Sequence, residues 1–127
     1  MFKSLKNINT DTIDLFSFNG KRIQAKVSDV IDGDTIKVVF RWKNEFVKYK
    51  VRFSRINCME LNSKNQDEKL KADEAKNYVN NLLNKKIVLL ECQHFDKYGR
   101  ILANVYFHDV CVNDLLVTEK LAVYKKY

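Results

Sequence analysis

Apolar and polar residues alternate through three consecutive stretches in the first half of the chain, and this period of two constrains the fold more than any other feature. Ile23, Ala25 and Val27 keep the alternation in the first stretch, Ile36, Val38, Phe40 and Trp42 in the second, and Val47, Tyr49, Val51 and Phe53 in the third. Successive side chains of a strand point to opposite faces, so each stretch reads as a strand with one face buried. The strands are expected over about 21–31, from near Asp34 onward, and from Phe46 to about Ile56. On the third, Lys48, Lys50, Arg52 and Ser54 share the face opposite the apolar set. Asp32-Gly33 and Lys43-Asn44-Glu45 supply the turns between them. Proline is absent, and each of the three glycines (Gly20, Gly33 and Gly99) falls at an expected turn where left-handed φ is useful.

The pattern changes after a polar stretch at 60–67. From about Asp67 to Lys85 the composition favours a helix, with Leu70, Ala75, Val79, Leu82 and Leu83 as a rough apolar stripe. Acids come early in it and lysines late, as the helix dipole prefers. Strand-like runs return at 86–93 and 100–107, joined by the turn Asp96-Lys97-Tyr98-Gly99. A short helix over 112–120, packing Leu115 and Leu116, and an extended segment over 121–127 complete the chain. The expected fold is therefore α+β and mainly β: a five-stranded OB-fold barrel with a helix between strands 3 and 4 and a short C-terminal helix. A small open α+β sheet is the alternative. At 127 residues, 46% of them hydrophobic, the chain is long enough for one core. Residues 1–19, with Leu15, Phe16 and Phe18, read as a lead-in, and 20–127 as the single domain.

Other features narrow the function. Cys58, Cys92 and Cys111 are odd in number and widely spaced, which argues for reduced thiols and against a disulfide framework or zinc site. Met1 to Thr10 holds no apolar run of signal-peptide length, and no stretch approaches a membrane span. The expectation is a soluble, intracellular protein with no membrane association and no obligate protein partner. No P-loop, G-x-G-x-x-G or Ser-His-Asp order occurs, which removes the commonest nucleotide-binding and triad readings. With 23 Lys and Arg against 16 Asp and Glu, the net charge of +7 favours an anionic partner, of which phosphate backbones are the commonest.

Four local groups bear on chemistry. Asp32-Gly33-Asp34-Thr35 sets two acids at a strand junction, where hard oxygens suit calcium or magnesium, although Asp-Gly is equally an ordinary hairpin signal. The stretch Val51 to Glu60 carries Arg52 on the polar strand face, then an amide at Asn57 and a carboxylate at Glu60. Asp96-Lys97-Tyr98-Gly99-Arg100 presents a guanidinium past a tight turn. Lys37, Lys43, Lys48 and Lys50 lie among Trp42 and Tyr49, a mixture that suits single-stranded nucleic acid. Phosphodiester hydrolysis needs a cation on the phosphate, a base for water and positive charge at the transition state. Asp34 can serve the metal, Glu60 the base, and Arg52 with Arg100 the phosphate clamp.

Taken together, Asp32 to Thr35, Val51-Arg52 with Ile56 to Glu60, Asp96 to Ala103, and Val112-Asn113 with Leu115 to Val117 and Leu121-Ala122 resemble the staphylococcal (micrococcal) nuclease family over about residues 21–124. The lead-in Phe16 to Gly20 resembles members from large DNA viruses, which would place the protein in a host cell. The resemblance implies an OB-fold, calcium-dependent nuclease acting on DNA and RNA, with magnesium or another divalent ion as the variant. By this resemblance Asp34, Asn57 and the backbone carbonyl of Cys58 are the metal ligands, and Asp32 is a nearby secondary acid. Arg52, Glu60 and Arg100 are catalytic. Tyr98 lies beside the phosphate pocket, with Lys97, Lys48 and Lys50 as further substrate contacts and single strands favoured as the partner.

The chain departs from that pattern at three places. Asn57 stands where the family has a carboxylate, so metal binding is expected to weaken by about one to three decades. Met59 replaces a proline and loosens the turn that carries Glu60. Lys120 replaces a glycine. Asn57 and Met59 keep open a second reading, a catalytically silent domain that binds nucleic acid or a protein.

Overall fold

The computed structural model describes residues 4–59 and 65–125. Among the described residues, two short 3-10 turns (Leu5–Asn7 and Thr10–Thr12) are followed by eight strands and two α-helices in chain order: β1 (Arg22–Asp32), β2 (Thr35–Trp42), β3 (Glu45–Phe53), β4 (Ile56–Cys58), α1 (Gln66–Leu83), β5 (Ile87–Phe95), β6 (Ile101–Phe107), β7 (Val110–Cys111), α2 (Val112–Thr118) and β8 (Ala122–Tyr124). The main sheet has the order β3-β2-β1-β5-β6-β7. Parallel pairing of β3 with β6, Val51 opposite Ile101 and Phe53 opposite Ala103, joins its ends. Strands β1, β2, β3, β5 and β6 thus form a closed barrel of the expected OB type, with α1 between the third and fourth barrel strands.

The period-two positions fill the barrel. Val27, Ile36, Val38, Val51, Phe53, Leu90, Ile101, Ala103 and Val105 are all fully buried. The third strand ends at Phe53 and not near Ile56, because the chain turns at Ser54-Arg55, where Arg55 takes a φ of 69°. Beyond the turn, Ile56 to Cys58 form the separate strand β4, whose partner is β8, with Ile56 opposite Tyr124 and Asn57 opposite Val123.

Helix α1 begins at Asn65, whose side chain accepts from the backbone N–H groups of Asp67 and Glu68. Its buried face is Ala72, Ala75, Val79 and Leu83, at helical spacing. Leu70, expected in the apolar stripe, lies outside that face and is exposed. The last turn of the helix holds no basic residue, since the lysines fall beyond its end. Asn84 donates the final helical bond to the carbonyl of Asn80, and Lys85, at φ 64°, donates to the carbonyl of Val27.

One residue of the lead-in is part of the core. Phe18 is 1% exposed and meets Phe16, Phe40, Trp42, Tyr49 and Phe95, with ring centroids 4.9–5.7 Å away. All five contacts are edge-to-face, which suits the ring quadrupoles. Trp42 and Tyr49 are therefore held on the inner side by Phe18 and do not join the lysines of the outer face. Phe18→Ala is expected to destabilise the domain by about 3–5 kcal/mol, the usual cost of emptying a large aromatic site. The measurement is the midpoint of urea unfolding, and a change under about 1 kcal/mol would show that the plug is dispensable.

Candidate active site

The site is built where the β1–β2 turn meets the end of β3. Asp34 donates its backbone N–H to Asp32 Oδ1 at 3.1 Å, which closes the turn. Gly33 is not in the left-handed region, unlike Gly20 and Gly99, so handedness is not why glycine stands there. The reason is space: a Cβ at Gly33 would lie 2.6 Å from Cβ of Ala75 on α1 and 3.0 Å from Sγ of Cys58. The turn rests directly on the helix.

This seating buries Asp34, whose carboxylate is almost fully engaged. Oδ1 accepts from the Thr35 hydroxyl at 3.2 Å, and Oδ2 accepts from the backbone N–H of Cys58 at 3.0 Å. Arg52, opposite Thr35 in the β2–β3 register, brings Nη2 to 3.3 Å from the same Oδ2. Arg52 also donates from Nη2 to Asn57 Oδ1 and from Nη1 to the carbonyl of Phe53, both at 2.7 Å. Burial, then the hydrogen bond and charge of neighbouring Asp34, push the Asp32 carboxyl up to about 6. Burial and the same two acids push the Cys58 thiol up to about 12. Asp32, Asp34, Arg52, Asn57 and Cys58 are thus brought together. Among the described residues no three His, Cys, Asp or Glu side chains gather as a metal-binding group. Glu60 lies outside the described residues.

Arg100 sits on the adjoining β5–β6 turn. Asp96 Oδ1 accepts from the backbone N–H groups of Tyr98 and Arg100, and Asp96 Oδ2 accepts from Arg100 Nε at 2.6 Å. Burial pushes the Asp96 carboxyl up, but the hydrogen bonds from Arg100 outweigh it and hold the group below the usual carboxylate range. Among the described residues no acceptor takes the terminal amino groups of Arg100, which leaves that fork for a ligand. Tyr98 is 71% exposed, and both Lys97 and Arg100 stack over its ring. Leu102 pairs with Arg52 across the parallel junction, so Arg100, two residues earlier, falls on the face of Arg52. Lys50 and Lys48 continue that face along β3, away from the carboxylates.

The sequence reading missed the residues that aim β4. Arg55 donates to Asn104 Oδ1 and Asp114 Oδ1, both at 3.1 Å, and Tyr124 donates its hydroxyl to the same carboxylate at 2.8 Å. These bonds, Arg55 first, hold Asp114 below its usual range. Asn113, fully buried, donates to the carbonyls of Ser54 and Ala103 and accepts from Val105 N–H. One signal was available, the polar pair Asn113-Asp114 set between Val112 and Leu115-Leu116. Nothing in the sequence marks Arg55 for positive φ. Lys120, in the place of a glycine, does adopt a glycine-like φ of 62°. With Lys71 it lines a hollow of about 160 Å³ beside Asn57 and Met59.

The family model for staphylococcal nuclease homologues matches residues 50–127. The chain belongs to the staphylococcal nuclease family. Endonuclease YncB of Bacillus subtilis (strain 168) is 31% identical over 105 residues, which cover 80% of this chain and 48% of that protein. The chain thus spans about half the length of this relative. No helix among the described residues is long and apolar enough to cross a membrane.

The geometry generates two expected outcomes. Gly33→Ala is expected to destabilise by about 1–3 kcal/mol through overpacking, and Ala75→Gly to couple favourably with it in a double-mutant cycle of unfolding free energies. Additive effects would place the clash elsewhere. Asp96→Asn is expected to lower stability at neutral pH. The native Asp96 is held below its unfolded value of about 3.9, so the deficit relative to wild type shrinks as pH falls below that value and through the folded pKa. Melting curves across that range check the sign.

Proposed function

We propose that the chain is a calcium-dependent nuclease that hydrolyses phosphodiester bonds of DNA or RNA, with magnesium or another divalent ion as the alternative. The observation that carries this reading is the convergence of Asp34 Oδ2 and Asn57 Oδ1 on one nitrogen, Nη2 of Arg52. Two hard oxygens that face one cationic donor are a pair of ligands that a metal ion could take in its place. The donor set of carboxylate, amide oxygen and neighbouring backbone carbonyl of Cys58 fits calcium by its chemistry. Membership of the nuclease family and the likeness to an endonuclease support the same reaction.

When bound, the ion supplies positive charge to the phosphate and to the attacking oxygen. The chain's own residues do the rest. Arg52 is pre-aimed by the Phe53 carbonyl through Nη1, which leaves Nη2 to exchange Asp34 and Asn57 for a phosphate oxygen. Arg100, steadied through Nε, offers its terminal fork from the adjacent turn. Two guanidinium groups on one face match the negative charge that builds on the oxygens of the pentacoordinate phosphate. Glu60 enters from the sequence as the base that takes the proton of the attacking water. Tyr98 and Lys97 flank the fork as further substrate contacts.

Asn57 specifically favours a second reading, a domain that grips nucleic acid without cutting, because it brings no charge to the ion. Single-stranded DNA at low salt, with calcium, magnesium or chelator, separates the two. Wild type is expected to cut in calcium and stop in chelator, and Asn57→Asp to reach half-maximal rate at about tenfold lower calcium or less. Arg52→Ala and Arg100→Ala should each lower kcat by about a hundredfold or more. Cutting by Asn57→Asp alone would mark a silenced nuclease. No cutting by either protein in any ion would falsify the reading.

A further inference from the structure

The outer face of the β2–β3 ribbon carries a row of cations that leads to the site. Cross-strand partners on this face are Arg41 with Phe46, Val39 with Lys48, Lys37 with Lys50, and Thr35 with Arg52. Each step covers two residues, about 6.7 Å, so the row is about 20 Å long. From Arg41 and Phe46 to Lys37 and Lys50 the side chains of this face are exposed or half-buried, and at its Arg52 end Asn57 of β4 lies against it. Lys48, Lys50 and Arg41 are exposed, and among the described residues no ion pair engages them or Lys37. The acid nearest in register is Asp29 of β1, opposite Lys37, and its carboxylate accepts from the Ser28 hydroxyl. At the far end Phe46 is 70% exposed, and the Arg41 guanidinium lies 4.7 Å from its ring centroid. The ring keeps most of its surface in water beside that cation, an arrangement on which a base can stack.

The geometry points to this face as a track for one polynucleotide strand, which runs from a base stacked on Phe46 past Lys48, Lys50 and Lys37 to the phosphate held by Arg52. The spacing of the pleat is close to that of successive phosphates on a stretched single strand, and a linear row of cations with a terminal aromatic is what such a polymer recognises. A duplex offers no free base to the ring. The inference rests on the proposed function for the class of polymer and adds where the strand lies and how far it reaches.

Fluorescence anisotropy of labelled oligo(dT), from about two to about twelve nucleotides, tests it in chelator, where cleavage cannot intervene. Affinity should rise with length until the track is filled, at about four to five nucleotides. Substituting Lys37, Lys48 and Lys50 together by Ala should reduce the slope of log affinity against log salt by about 2, at about 0.7 per phosphate on single strands. Phe46→Ala should weaken long oligonucleotides about tenfold and leave dinucleotides unchanged. Lys69, Lys76 and Lys86 replaced together by Ala remove the same charge from other surfaces and should change the slope by less than half as much. Lys48→Gln with Lys50→Gln repeats the test if the triple variant melts early. Equal losses in the two triple variants, no dependence on length, or equal binding of duplex would overturn the track. If the expected pattern appears and no ion supports cutting, the track stands and the nuclease reading falls. Cutting without the pattern keeps the nuclease and removes the track.

Discussion

The parallel junction between β3 and β6 is the contact on which the rest of this structure depends. It closes the barrel, so no long strand edge is left open among the barrel strands. It also sets Arg52 and Arg100 on one face, although they are far apart in sequence and one lies in β3 while the other lies at the β5–β6 turn. The polar groups freed where β3 leaves the barrel are taken up by Asn113, which bridges Ser54, Ala103 and Val105 without reaching solvent. A buried amide so fully engaged holds three segments in one register.

From that junction the site is assembled by short-range constraints. Arg55, forced to positive φ, reverses the chain and is tied down by Asn104 and Asp114. The reversal lets β4 come back beside the β1–β2 turn, where Cys58 N–H meets Asp34. The Gly33 turn is fixed from below by Ala75. Asp34 is therefore held by neighbours on three elements, and Arg52 has a defined carboxylate to face.

The parts of this arrangement that were legible in the sequence are those with a local period. The barrel strands and α1 emerge from alternation and helical spacing, since each residue declares its face by its neighbours. The grouping of Asp34, Asn57 and Arg52 was legible through family likeness, because contacts across strands leave no trace in spacing. The hidden remainder depends on tertiary context. Leu70 has the right residue type but sits ahead of the buried face of α1. Gly33 reads in the sequence as a matter of handedness, when close approach to a helix is its reason. The break at Ser54-Arg55 and the β4–β8 pair were invisible, since arginine carries no signal for left-handed backbone and three-residue strands carry no period.

The aromatic plug has a kinetic side. Phe18 comes from the start of the chain yet seats among Phe40, Trp42, Tyr49 and Phe95, and the barrel it stoppers closes only when Val51 meets Ile101. Contacts so distant along the chain must meet the entropy of loop closure before they stabilise anything, and topologies rich in them fold slowly. A growing chain can form the β1–β2–β3 meander early, but it must hold Phe18 and the inner faces of those strands exposed until β5 and β6 have been made. Arg52 and Arg100 come together only with that final closure, so a chain that had formed the meander alone would hold Arg52 without its partner.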